Sequence, residues 1–195
     1  MSVFIFDTET TGLPNFQPNR NYYSPKEFHQ YDKSRIIEIG YRILSLENNE
    51  LLAQYQSYVH YENINIENSH IHGVTNEMAL AGVEIRDILK EIEKDFKTYN
   101  VKRIVAHNID FDMNILLSEC YRYSQENSNE NLINTLLTCD TYCTMKRGKI
   151  FMDYYKNPKL IELYNFVHRN NAPPFKEHSA LSDCIACEKC YLAMI

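Results

Sequence analysis

Asp7 and Glu9 stand one residue apart at the end of the apolar run Val3-Phe4-Ile5-Phe6. Alternate residues of a strand point the same way, so an extended chain projects both carboxylates from one face. Two acids held that close on a buried strand repel each other unless a positive charge lies between them. Hard oxygen ligands of this kind suit Mg²⁺ or Mn²⁺. The plainer alternative is a pair of solvated acids at a strand tip. Two other segments carry residue types that could join them. His107-Asn108-Ile109-Asp110-Phe111-Asp112 follows the apolar strand Ile104 to Ala106 and offers two more acids. Asp110 there also reads as a solvated loop acid or a helix cap. In His178-Ser179-Ala180-Leu181-Ser182-Asp183 the histidine lies at the start of a helix and the aspartate inside it. An imidazole ordinarily titrates near ~6.5, so it can take a proton from water at neutral pH. Taken alone, His178 reads more simply as a cap or a surface residue.

These side chains need a frame to bring them together. Val3 to Glu9 is apolar on both faces until its end, which predicts a central strand covered on both sides. Arg35 to Leu44 and Leu51 to His60 are β-rich runs, joined as a hairpin by the polar turn Leu46 to Glu50. Ile85, Ile88, Leu89, Ile92 and Phe96 repeat with the period of an amphipathic helix. Further along the chain we read a strand at Arg103 to His107 and a helix from Phe111 to about Tyr123. A strand at Thr138 to Cys143 comes next, and helices at Lys159 to Arg169 and Ser179 to Met194 close the chain. Strands first, then strands alternating with helices, predict an α/β fold with a mixed sheet and helices on both faces. From Gly12 to about Ser34 runs an irregular segment with Pro14, Pro18 and Pro25. It exceeds the usual length of a connection, and such loops tend to be functional or mobile.

The 195 residues fit one domain, 1–195, and 44% hydrophobic with 24% charged residues suits a soluble globular chain. No membrane-length apolar stretch and no signal-peptide pattern occurs, which predicts an intracellular, cytoplasmic protein. Cys184, Cys187 and Cys190 share a three-residue spacing that invites a metal reading, but inside a helix this spacing makes one stripe. Buried packing against the sheet is the better account. The net charge of −6 argues against tight coating of duplex nucleic acid. Acids gathered around divalent cations would invert the local field, so an enzyme gripping a short tail stays open.

Phe6-Asp7-Thr8-Glu9-Thr10-Thr11-Gly12-Leu13 resembles the first motif of the DEDDh exonucleases, the family of the polymerase proofreading exonucleases. The segment at 107–112 is similar to that family's second motif, and His178 to Asp183 to its third, His-x4-Asp. Alignment with the motif, not physics, selects Asp112 over Asp110. Ile71-His72-Gly73-Val74-Thr75 resembles a fourth segment. The likeness runs from Val3 to about Leu192, and the long loop after Leu13 is the main departure.

The resemblance implies a ribonuclease-H-like fold with a five-stranded sheet. It implies two Mg²⁺ (or Mn²⁺) ions held by Asp7, Glu9, Asp112 and Asp183, with Asp7 bridging, and His178 as general base. One ion would activate water and the other would steady the leaving 3′ oxygen. The expected reaction is 3′–5′ removal of nucleoside 5′-monophosphates from DNA. Thr10, Thr11, Leu13, His72 and Asn108 are the candidates for holding the terminal nucleotide. Tyr22, Tyr23 and Lys26 are candidates for stacking on or holding a displaced strand, against a plainer role in packing the loop. DNA is favoured over RNA by the Thr-Glu-Thr-Thr-Gly form of the first motif, and a ribonuclease of the same fold is the nearest alternative. A non-catalytic clamp or polymerase-docking module should show eroded acids, whereas all five catalytic positions are intact. The resemblance to proofreading exonucleases implies a DNA polymerase or replication complex as a partner.

Overall fold

The computed structural model describes residues 1–127, 130–169, 171 and 173–195. Strand β1, Ser2–Thr10, lies at the centre of a five-stranded sheet with spatial order β3-β2-β1-β4-β5. Strands β2, Ile36–Ser45, and β3, Leu51–Tyr58, extend it antiparallel on one side. Strands β4, Val101–Ala106, and β5, Asp140–Cys143, extend it in parallel on the other. This is the mixed sheet expected from the order of elements.

Alternation along β1 divides the core into two layers. Phe4 and Phe6 face α3, Ile85–Thr98, and α4, Ile109–Asn127, among Ile88, Ile92, Ile115 and Leu116. Val3 and Ile5 face α8, Ala180–Ala193, where Cys184, Cys187 and Tyr191 complete a second cluster with Leu44 and Val105. Cys184 and Cys187 therefore pack on the sheet as expected, while the third cysteine of the stripe does not. Cys190 turns towards α7, Leu160–Val167, against Leu163 and Tyr164.

Four helices escape the apolar-period reading. They are α1, Ser69–His72, α2, Asn76–Leu80, α5, Asn131–Thr138, and α6, Thr144–Phe151. Each is at most eight residues long, too short for a 3.6-residue period to repeat clearly. Gly40 of β2 shows why α8 sits so close to the sheet. A Cβ there would lie 2.4 Å from the Leu181 nitrogen and 2.6 Å from the Ala180 carbonyl carbon. Gly40 pairs with Asp7 across β1 and β2, so the start of α8 is brought down beside that aspartate. No helix among the described residues is long and apolar enough to cross a membrane.

Candidate active site

Asp7 and Glu9 leave the same face of β1 near its end, as strand alternation requires. Asp112 enters from the first turn of α4. Its Oδ1 accepts hydrogen bonds from the Thr8 backbone N–H (3.1 Å) and the Thr8 hydroxyl (2.9 Å). The carboxylate is buried and faces Asp7 closely enough to repel it. Asp110, two residues earlier, points outward and pairs with Lys146 at 2.5 Å. Asp183 lies in the first turn of α8, and its Oδ2 accepts the His178 backbone N–H at 2.8 Å. His178 adopts a left-handed backbone, φ 59°, which turns that N–H towards the carboxylate. A ring nitrogen of His178 and one carboxylate oxygen each of Glu9 and Asp183 all lie within 4.8 Å of one another. Three distant parts of the chain thus meet at one place.

A fifth acid, which the motif reading did not single out, stands beside them. Glu38 pairs with Glu9 across β1 and β2 and is 2% exposed. Its Oε1 accepts from Gln56 Nε2 (2.5 Å), and its Oε2 accepts the Ala180 N–H at 3.4 Å. The signal was present as a lone glutamate inside the apolar run Ile36 to Ile39. Only the strand register shows which acid it opposes.

The electrostatics are unusual for buried carboxylates. Burial, then repulsion from Asp112, Asp183, Glu9 and Glu38, holds the Asp7 carboxyl well above the usual range. Burial and the neighbouring acids push Glu9 up to about 8. Asp112 is pushed up to about 7, mainly by burial, against the lowering effect of its Thr8 hydrogen bonds. Asp183 also reaches about 7, burial again coming first, opposed by the His178 backbone hydrogen bond. Buried acids elsewhere have partners: Glu119 binds Arg35 (2.6 Å), Glu188 binds Arg42 (2.5 Å), and Asp95 accepts the Tyr41 hydroxyl (2.7 Å). Asp7, Glu9, Asp112 and Asp183 form no salt bridge among the described residues. Uncompensated charge of this kind is strongly unfavourable unless a cation or protons neutralise it.

A cavity of 360 Å³ opens on this cluster, lined by Asp7, Asp183, His178, His107 and Lys159 among others. His107 is a fixed wall. Its ring nitrogens lie 3.0 Å from the Thr144 hydroxyl and 3.1 Å from the Pro158 carbonyl, and burial pushes it down to about 4. It therefore stays uncharged at neutral pH.

The residues expected to hold a nucleotide fall into distinct settings. Thr10 and Thr11 spend their hydroxyls on the backbone of the long loop, donating to the Gly12 carbonyl (2.8 Å) and the Lys33 carbonyl (3.0 Å). Leu13 is 68% exposed and lines a groove of 610 Å³ with Lys33, Arg35 and Asn63. His72 is buried near His178. Its Nδ1 accepts the Val74 N–H at 3.0 Å, leaving Nε2 as a buried donor without a partner among the described residues. Asn108, at φ 69°, opens α4 beside the Tyr22 side chain.

Comparison with known proteins adds to this geometry. Residues 4–191 match the RNase T family, described as exonuclease. Among curated protein sequences none matches the chain. Among solved structures, Exonuclease X in complex with 5′-overhanging duplex DNA is 20% identical (98% of this chain, 90% of that one, TM-score 0.63). The nuclease domain of 3′hExo, a DEDDh family member bound to rAMP, is 15% identical (99% and 90%, TM-score 0.65). Pop2p of S. pombe, in a form with Mg²⁺ and Mn²⁺ bound, is 16% identical (97% and 81%, TM-score 0.68). At these identities the structures establish a shared ribonuclease-H-like fold, while the family match spans nearly all of β1 to α8. The chain belongs to the RNase T family of exonucleases.

Proposed function

We propose that this single-domain protein is a divalent-metal-dependent 3′–5′ exonuclease. It acts on single-stranded or frayed 3′ ends of DNA and releases nucleoside 5′-monophosphates. The observation that carries the reading is the meeting of buried Asp112 and Asp183 with half-buried Asp7 and Glu9, without a basic partner among the described residues. Their oxygens are the donors that Mg²⁺ or Mn²⁺ prefers. The form of Pop2p with Mg²⁺ and Mn²⁺ bound shares the fold. Two divalent ions held by these acids would lower the pKa of water and neutralise charge on the attacking and leaving oxygens. His178, at the open edge of the same cluster, takes the proton from the attacking water. Leu13 supplies an apolar surface for a base, and Asn108 and the unpartnered Nε2–H of His72 supply polar contacts to the terminal nucleotide. Exonuclease X was solved with duplex DNA and 3′hExo with rAMP, so proteins of this fold take both deoxyribonucleotide and ribonucleotide ligands. The Thr-Glu-Thr-Thr-Gly motif directs our choice to DNA.

The test is incubation of 5′-labelled single-stranded, paired and mispaired DNA, and matched RNA, with Mg²⁺ and then with EDTA. A one-nucleotide ladder from the 3′ side that EDTA abolishes is the expected result. No hydrolysis by clean, folded protein in Mg²⁺ would overturn it, and faster cutting of RNA would move the substrate to RNA. Replacing His178 by Ala should lower kcat by about 10²–10⁴-fold, the usual contribution of general-base catalysis. A variant that keeps the wild-type rate removes His178 from the mechanism.

Stability should report the same cluster. Carboxyls whose pKa is raised by folding bind more protons in the native state than in the unfolded one. Stability then falls as pH rises from the unfolded values near ~4 towards the native values, which are about 7 to about 8 here. Metal-free protein should therefore melt at progressively lower temperature across that window. Added Mg²⁺ should restore more stability at its upper end than at its lower end, where protons compete for the oxygens. Thermal scans after EDTA treatment, with and without Mg²⁺, check both slopes. A metal effect independent of pH would contradict the assignment.

A further inference from the structure

We propose that the long loop carries a strand-holding finger, in which Phe16 and Tyr22 form a stacking platform for single-stranded DNA and Arg20 contacts its phosphates. This rests on the exonuclease reading above and extends it to the path of the strand beyond the terminal nucleotide.

The loop is not slack. Its neck is stitched by Thr11 N–H to the Arg35 carbonyl (3.0 Å) and by the Ser34 hydroxyl to the Gly12 carbonyl (2.7 Å). Tyr31, in a 3₁₀ turn at Phe28–Tyr31, is fully buried in the main core and donates its hydroxyl to the Tyr23 carbonyl (2.6 Å). Arg122 of α4 donates to the Phe28 carbonyl (3.0 Å) and pairs with Asp32 (2.8 Å).

On this base stands a short antiparallel arm. Phe16 bridges Tyr22, and their ring centroids lie 5.2 Å apart. Gln17 N–H donates to the Asn21 carbonyl (2.9 Å), and Gln17 Nε2 to the Tyr22 carbonyl (3.0 Å). Arg20 sits at the exposed tip in a left-handed turn and makes no ion pair among the described residues.

Position connects the arm to the chemistry. The Tyr22 side chain lies beside Asn108, Asp110 and Asp112, so the arm flanks the segment that delivers Asp112 to the cluster. Tyr23 and Lys26 belong to the base instead: Tyr23 receives Tyr31, and the Lys26 ammonium lies 5.9 Å from the centre of the Tyr121 ring. An arm needed only for packing would bury its aromatic residue, yet Phe16 is 40% exposed. A rigid aromatic pair with an unpaired cation fits a nucleic-acid backbone whose bases stack without regard to sequence.

The test compares a single-stranded oligonucleotide with the p-nitrophenyl ester of thymidine 5′-monophosphate, which has no strand to hold. Phe16→Ala and Arg20→Ala should each lower kcat/KM for the oligonucleotide about tenfold more than for the ester, mainly through KM, the size of one lost stack or phosphate contact. The same changes placed in an Asp7→Asn background should weaken binding of a labelled oligonucleotide by a similar factor in fluorescence anisotropy. Tyr22→Phe keeps the ring and should keep most of that affinity. Equal losses on both substrates, or unchanged affinity, would overturn the finger while leaving the nuclease reading intact. Wild-type protein that binds the oligonucleotide through Phe16 and Arg20 but cuts neither substrate would sink the nuclease reading and support the finger.

Discussion

Asp7→Asn is expected to lower kcat by more than about 10⁴-fold, in line with the loss of one member of a catalytic unit, while making the metal-free protein more stable. The two effects share one cause. Asp7 is the acid on which the other four press, with Asp112, Asp183, Glu9 and Glu38 all raising its pKa. An amide of the same shape removes that repulsion and, on the proposed function, also a ligand for the cations. With each kcal/mol worth roughly 2–4 °C in a chain of this length, a rise in melting temperature of at least ~3 °C above neutral pH should be readable. Added Mg²⁺ should stabilise the variant less than the wild type. Differential scanning of both proteins, next to a nuclease assay, decides the matter. A variant that is inactive and also less stable would mean that Asp7 serves the fold and not the ions.

Gly40→Ala should also be damaging, although Gly40 carries no chemistry. The added methyl would meet backbone atoms of Ala180 and Leu181 at 2.4–2.6 Å, and backbone cannot swing aside as a flexible side chain can. The start of α8 must lift, carrying His178 and Asp183 away from Asp7 and Glu9. A displacement of ~1 Å at a catalytic group can cost 10²-fold in rate, and overpacking costs about 1–3 kcal/mol in stability. We expect kcat to fall at least 10²-fold while circular dichroism still shows the native mixture of helix and strand. Near-normal activity would show that α8 reaches its place by another route.

Much of this arrangement was legible in the residues. Alternation alone put Asp7 and Glu9 on one face, and helical spacing alone put the three cysteines on one stripe. Asp112 was separable from Asp110 only by resemblance to a motif. The physical basis of that choice is tertiary, since Thr8 donates twice to Asp112 while Lys146 draws Asp110 outward. Glu38 escaped because its partner is set by the register of β1 on β2, which no local pattern encodes. Gly40 escaped for a similar reason: its need for a bare Cα arises from a helix that begins 140 residues later. The hydroxyls of Thr10 and Thr11 are engaged with loop backbone, a use that local sequence does not announce.

The stitched neck of the long loop separates two properties of the enzyme. Thr11 and Arg35 meet whatever lies between them, and Tyr31 clamps the returning limb into the core. Lengthening or rewriting Asn15 to Asn21 would then add an entropic cost that grows only with the logarithm of loop length. If the arm holds the strand as proposed, such changes would retune which strand ends are admitted while the carboxylates behind the neck keep their places. A catalytic centre built this way can acquire a new clientele by exchange of a few surface residues.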